Sequence, residues 1–174
     1  IRRPLFIDMQ KPLLLGNSSR KQDDGAKIGK RGDECFGARL RQMLANLKRE
    51  AEGLSQGRHQ VVAGPCATAD LRGSNQYLHS AFSNLVSNAV RYTPAGGRIT
   101  LAWTADGRGG RFVVADTGQG IPPEHLPRIF ERFYRVDPGR SREQGGTGLG
   151  LAIVKHLVEA HGGRLSLHNR EGGG

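Results

Sequence analysis

The sequence predicts an α+β chain, and three observations carry that reading. Apolar residues recur at helical spacing over residues 38–55, 74–92 and 148–160. Two runs rich in β-forming residues, 98–105 and 111–116, face each other across the turn Asp106-Gly107-Arg108-Gly109-Gly110. A connection rich in Gly, Pro and Arg, residues 117–147, separates that hairpin from the last helix. So long a connection inside a compact domain is usually functional.

In chain order, residues 1–37 lack sustained periodicity, and Gly16 to Gly25 is polar and turn-rich. This segment is left unassigned, expected to be disordered or foreign to the domain. Leu40, Met43, Leu44, Leu47, Ala51 and Leu54 mark a helix ending between Gly53 and Gly57. Residues 59–64 read as a short strand closed by Gly64-Pro65. The next helix carries the stripe Leu78, Phe82, Leu85, Val86 and Ala89, and Thr93-Pro94-Ala95-Gly96-Gly97 stops it. After the hairpin, a helical piece is expected around 123–133. The last helix places Leu149, Ile153, Leu157 and Ala160 on one face, Gly162-Gly163 ends it, and 164–168 reads as a strand.

The 174 residues carry 26 Lys+Arg against 16 Asp+Glu, a net charge of +10, and 26 Gly. The excess is +6 over residues 1–60 and +4 over 61–174. The cations do not interleave with aromatics, so no nucleic-acid partner is expected. No apolar run approaches the roughly 18 residues of a membrane span, so this segment is expected to make no membrane contact. Cys35 and Cys66 form neither a disulfide framework nor a zinc set. The first residue is Ile, as expected for a piece of a longer protein.

Three motifs carry chemistry. Asn84, Asn88 and Arg91 share one helix edge. Asn is a poor mid-helix residue, so two on one edge ask for a partner. An amide oxygen suits Mg²⁺ and Arg91 suits an anion; the plainer reading is a solvated polar edge. Asp116-Thr117-Gly118-Gln119-Gly120 ends a strand. Its carboxylate accepts a hydrogen from an exocyclic amine, whereas a keto oxygen there meets another acceptor. That mismatch costs about 1–3 kcal/mol, so the site favours adenine over guanine; the plainer reading is a turn. Gly145-Gly146-Thr147-Gly148-Leu149-Gly150 opens a helix at its positive end, which suits a phosphate. It fits neither GxxxxGK[ST] nor GxGxxG, and the plainer reading is a hinge. The motifs follow one another over about 70 residues, a combination more specific than any one alone.

This combination resembles the ATP-binding catalytic domain of sensor histidine kinases, of the superfamily shared with gyrase, the ninety-kilodalton heat-shock chaperone and MutL. Asn84 to Pro94 is similar to the family's N box, and Asp116 to Gly120 to its first glycine box. Phe130-Glu131-Arg132-Phe133-Tyr134-Arg135 is similar to its F box, and Gly146 to Val154 to its second glycine box. The resemblance covers about residues 38–174 and is strongest to the phosphate-regulon sensor kinases. It implies a two-layer α/β sandwich, the Bergerat ATP-binding fold, with three helices on one face of a mixed sheet.

The resemblance assigns Mg²⁺ to Asn88 with Asn84 beside it, the phosphates to Arg91 and Tyr92, and the adenine amine to Asp116. Gly118, Gly120 and Ile121 line the base pocket. Gly146, Thr147, Gly148, Leu149 and Gly150 shape the phosphate loop, and Phe130 and Phe133 anchor a lid. Arg140 or Arg142 is expected to hold the γ-phosphate.

The family's ATPases carry a Glu where this chain has Asn84, and an amide cannot take a proton from water, so phosphoryl transfer is favoured over hydrolysis. The implied acceptor is a histidine on a dimerisation domain, homodimeric in the full protein, for relay to a response-regulator aspartate. None of the six histidines has the acceptor motif's neighbours, so an inactive ATP-binding remnant is the alternative. The implied location is a cytoplasmic domain of a parent anchored in the bacterial inner membrane. The family's usual Ser/Thr-x-Phe strand after the last glycines is missing, so an exposed sheet edge and lowered stability are expected.

Overall fold

The computed structural model describes residues 2–9, 34–35, 37–67, 72–106, 109–136 and 147–170. Its elements are β1 (Arg2–Met9), β2 (Glu34–Cys35), α1 (Gly37–Ser55), β3 (Gln60–Cys66), β4 (Arg72–Gly73), α2 (Asn75–Tyr92), β5 (Arg98–Asp106), β6 (Gly109–Asp116), α3 (Gly150–Ala160) and β7 (Arg164–Arg170). A short 3₁₀ turn, Pro123–His125, lies between β6 and α3. Five strands form a mixed sheet in the order β3-β5-β6-β1-β7, parallel only between β3 and β5, while β2 and β4 pair separately. The two-layer α+β arrangement expected from sequence is therefore present.

Its core lies between the sheet and the helices. α1 buries Leu40, Met43, Leu47 and Ala51, but Leu54, expected on that face, is exposed. α2 buries the whole predicted stripe together with Ala81 and Val90. Against it lie Ile99, Leu101 and Trp103 of β5 and Phe112 and Val114 of β6. The rings of Phe82 and Phe112 stack with centroids 3.9 Å apart. Each such large side chain contributes about 1.5–3 kcal/mol by leaving water.

The hairpin is tighter than its glycines suggest. A Cβ on Gly110 would lie 2.2 Å from the Trp103 ring, which is fully buried. Gly110→Ala is expected to cost about 1–3 kcal/mol through overpacking, a fall of roughly 2–12 °C in Tm. Gly53→Ala, where nothing lies within 4 Å, is the matched control and should leave Tm unchanged or slightly higher in the same thermal melt.

Several expectations change. β3 runs through Gly64-Pro65 to Cys66, because an edge strand tolerates proline's missing N–H. The helical piece over 123–133 shrinks to one 3₁₀ turn followed by turns. Pro127 has no N–H to offer a helical ladder, and His125, Leu126, Arg128 and Glu131 instead bond back three residues. α3 buries Val154 and Val158, while Ile153 and Ala160 are exposed. The run Leu151-Ala152-Ile153-Val154 is apolar all round, so its periodicity does not choose a face.

The largest change concerns the N-terminus. Residues 1–37 were set outside the domain, yet Arg2–Met9 is an internal strand, antiparallel to both β6 and β7. Leu5 is opposite Val114 and Leu167, and Ile7 opposite Phe112 and Leu165. Leu5 and Ile7 thus fall in register with the buried rows of the sheet. Leu5-Phe6-Ile7 is a short apolar run without alternation, too little to register as a strand by periodicity. β1 lies between β6 and β7, and β7 forms an edge of the sheet. Ile7→Asp puts a charge in that row and is expected to unfold part of the sheet. The check is loss of hydrogen-exchange protection at β6 and β7 relative to wild type, with α1 as internal reference.

Candidate nucleotide-binding site

α2 sets one wall of the site. Its buried stripe faces the sheet, which leaves Asn84, Asn88 and Arg91 half-buried along the flank. Asn84 Nδ2 donates to the Ser80 carbonyl at 2.8 Å. Its Oδ1 meets the N-terminus of α3: a Cβ on Gly150 would sit 3.0 Å from Asn84 Oδ1 and 3.8 Å from Asn88 Nδ2. Among the described residues, the side chains of Asn88, Arg91 and Tyr92 make no hydrogen bond or ion pair. The two asparagines therefore differ: Asn84 is used within the protein, and Asn88 keeps its amide free beside a helix start.

That helix start has open donors. Leu149 caps α3 without a side-chain bond, and the first N–H groups of a helix lack internal partners. The helix dipole adds partial positive charge there. Thr147 Oγ1 lies 3.4 Å from the Leu149 N–H, and Thr147 is exposed. Gly148 has φ +70°, a conformation that favours glycine, and a Cβ on it would meet the Phe133 backbone at 2.8 Å. The Phe133 N–H donates to the Gly148 carbonyl at 2.9 Å. Phe133 itself has φ +65° and a ring 69% exposed. A non-glycine residue held in this region is strained by about 1–3 kcal/mol. The backbones before and after the intervening segment are thus clamped together.

The second wall is the end of β6. Asp116 Oδ1 accepts the Gly118 N–H at 2.7 Å. A Cβ on Gly118 would lie 2.6 Å from that oxygen and 2.6 Å from the Tyr92 carbonyl oxygen, so only glycine fits. Thr117 joins the same layer: its Oγ1 accepts the Arg98 N–H at 2.9 Å, and its N–H donates to the Arg98 carbonyl at 3.0 Å. The loop after Asp116 is therefore pressed on the C-terminus of α2. Gly120 follows with φ +75°, and Ile121 is half-buried.

Not every expected residue joins these walls. Phe130 borders a separate cavity of about 310 Å³ with Lys155, Glu159, Gly163, Arg164 and Leu165. Arg140, Arg142 and Gly146 lie outside the described residues. Sequence reasoning passed over Arg135 as a site residue and saw it only as one of a cluster. Its Nη2 is buried and has no hydrogen-bond partner among the described residues. Its place just after Phe133-Tyr134 was the available signal. Nearby, Tyr134 OH and His125 Nδ1 are 2.6 Å apart, and the Arg128 guanidinium lies 4.4 Å from the Tyr134 ring centroid. The hydrogen bond from Arg128 to Glu131, and that carboxylate's charge, raise the guanidinium's pKa above its ordinary value.

Comparison with known proteins identifies the family. Residues 73–174 match the family of histidine kinase-, DNA gyrase B- and HSP90-like ATPases. The chain is 50% identical over 133 residues to the phosphate regulon sensor protein PhoR of Pseudomonas aeruginosa, covering 76% of this chain and 30% of that protein. It therefore spans about a third of that relative's length. Among solved structures, the mycobacterial sensor histidine kinase MprB superposes with a TM-score of 0.60 at 29% identity, covering 71% of this chain and 77% of that one. ShkA, solved full-length in complex with AMPPNP, gives a TM-score of 0.60 at 27% identity, covering 78% of this chain and 27% of that one. The fold, the three converging motifs and these matches lead to one conclusion: the chain belongs to the family of histidine kinase-, DNA gyrase B- and HSP90-like ATPases, as a sensor histidine kinase ATP-binding catalytic domain.

Proposed function

We propose that this chain binds Mg-ATP and donates the γ-phosphoryl group to a histidine on a dimerisation domain, for relay to a response-regulator aspartate. The observation that carries the reading is the approach of Gly150 to Asn84 and Asn88, which sets a helix N-terminus against the Asn88 amide. The donor set fits the implied metal: Asn88 offers a neutral oxygen, and Mg²⁺ takes few protein ligands when phosphates supply others. Mg²⁺ when bound would neutralise charge on the phosphates. The chain's own residues do the rest. Asp116 orients the base, Arg91 and the α3 N-terminus hold phosphate oxygens, and the buried Arg135 Nη2 supplies a further donor. Positioning and charge neutralisation supply most of the catalysis of phosphoryl transfer. Arg140 and Arg142 remain candidates for the γ-phosphate.

Asn84 does not serve as a base. Its amide is committed to Ser80 and stands where a hydrolytic enzyme of the superfamily would carry a carboxylate, which supports transfer over hydrolysis. The histidines of this chain support an acceptor elsewhere. Two serve as structural ties: His59 to Ser55 and the Thr93 carbonyl, His161 to the Leu157 carbonyl and the Ser74 N–H. Phosphate sensing and a parent anchored in the inner membrane are the finer reading, supported by the likeness to PhoR. Among the described residues, no helix is long and apolar enough to cross a membrane.

Asn88→Ala should abolish the Mg²⁺ dependence of ATP binding while leaving Tm unchanged, since its amide has no partner to lose among the described residues. Calorimetric titration with and without Mg²⁺ checks this. An unchanged Mg²⁺ effect would remove Asn88 from the metal site.

A further inference from the structure

We propose that the slot between β6 and β7 is a strand-exchange surface, and that its partner is a second copy of this chain, which donates its own Arg2–Met9. This inference does not depend on the nucleotide reading. β1 has sheet neighbours on both sides, β6 along Leu5 to Met9 and β7 along Arg2 to Asp8. Both neighbours, β6 (Gly109–Asp116) and β7 (Arg164–Arg170), lie far from β1 in the sequence. Within the five-stranded sheet, β7's one partner is β1, so whatever fills the slot joins β7 to the sheet.

The slot specifies its occupant. Two apolar rows cross it: Leu101, Val114, Leu5, Leu167 and Trp103, Phe112, Ile7, Leu165. A one-residue slip would put Leu5 and Ile7 out of both rows. Asp8 stands in register between Arg111 on β6 and Arg164 on β7. An identical strand from another copy satisfies every one of these terms.

The connection permits the exchange. Residues 10–33, 24 in number, lie between Met9 and Glu34. Fully extended they reach about 80 Å, several times the roughly 16 Å radius of gyration of a domain of this length. A strand reached by so long a connection can enter its own slot or a neighbour's with the same contacts. The balance is then set by concentration, and exchange of an identical element is a low-cost route to a dimer. Reciprocal exchange gives a two-fold dimer in which each sheet contains one borrowed strand.

Phe6 and Ser166 are directly opposite in the β1–β7 register, and such pairs lie about 4.5–5.5 Å apart between Cα atoms, within disulfide reach. The test uses the full chain with Cys35 and Cys66 replaced by Ser. One sample carries Phe6→Cys and another Ser166→Cys; they are unfolded, mixed, refolded and oxidised. Thr104→Cys, at an exposed position of β5, replaces Ser166→Cys in the control mixture. Exchange predicts a disulfide-linked heterodimer about tenfold above control, since the exchanged strand raises the local concentration of one thiol at the other. Equal yields from the two mixtures overturn it. Light scattering on the unmodified chain gives a second reading that needs no variant to fold. A mass rising from monomer to dimer between low micromolar and submillimolar concentration supports the exchange, and a monomer throughout overturns it.

Discussion

Asp116→Asn is expected to weaken Mg-ATP binding by about 5- to 150-fold, the equivalent of about 1–3 kcal/mol, without lowering Tm. The two halves of this expectation have separate causes. Asparagine retains a carbonyl oxygen where Asp116 Oδ1 accepts the Gly118 N–H, so the loop keeps that tie. Its other terminus becomes an NH₂ donor. A donor facing the exocyclic amine of adenine replaces an attraction by a repulsion, while the same donor suits a keto oxygen. The ratio of ATP to GTP affinity should therefore fall, and titration calorimetry with both nucleotides measures it. Equal losses for the two would show that Asp116 supports the pocket without reading the base.

Gly148→Ala is expected to reduce both stability and ATP affinity. Two effects coincide there. The φ of +70° strains any residue with a Cβ, and that Cβ would meet the Phe133 backbone at 2.8 Å, which no rotamer change relieves. Strain of this kind costs about 1–3 kcal/mol, and the steric term adds to it. Gly96 separates the two: its φ is +81°, but nothing lies within 4 Å of an added Cβ. Gly96→Ala should show the strain alone, and thermal melts of the two variants give the contact term by difference. If Gly148→Ala melts no lower than Gly96→Ala, the clamp between Phe133 and Gly148 contributes nothing.

The contrast between these glycines shows what the sequence could and could not disclose. Glycine runs next to a strand end and a helix start pointed to a nucleotide site, and the structure adds that Gly118 and Gly150 lie close against Asp116 and Asn84. The stripe of α2 was legible because seven buried positions repeat on one face. α3 was not, because its apolar residues surround the helix. β1 was missed for a different reason: its strand character is supplied by β6 and β7 on either side, neighbours distant in sequence that no local pattern contains. Asn84 and Asn88 read alike as residues on one helix edge. Only the approach of Gly150 and the bond to Ser80 separate the amide used in packing from the one left open. Arg135 stood among several arginines of equal appearance, and burial of its Nη2 singles it out.

The proposed transfer of phosphoryl from ATP held by this chain to a histidine on another domain can be measured directly. Its most direct measurement is incubation of the chain with Mg-ATP labelled in the γ-phosphate and a separately purified, histidine-bearing dimerisation domain. Label is expected on that domain in acid-labile, base-stable form, absent when the acceptor histidine is replaced and strongly reduced with Asp116→Asn. ATP bound by the chain with no label transferred to the acceptor domain would contradict it.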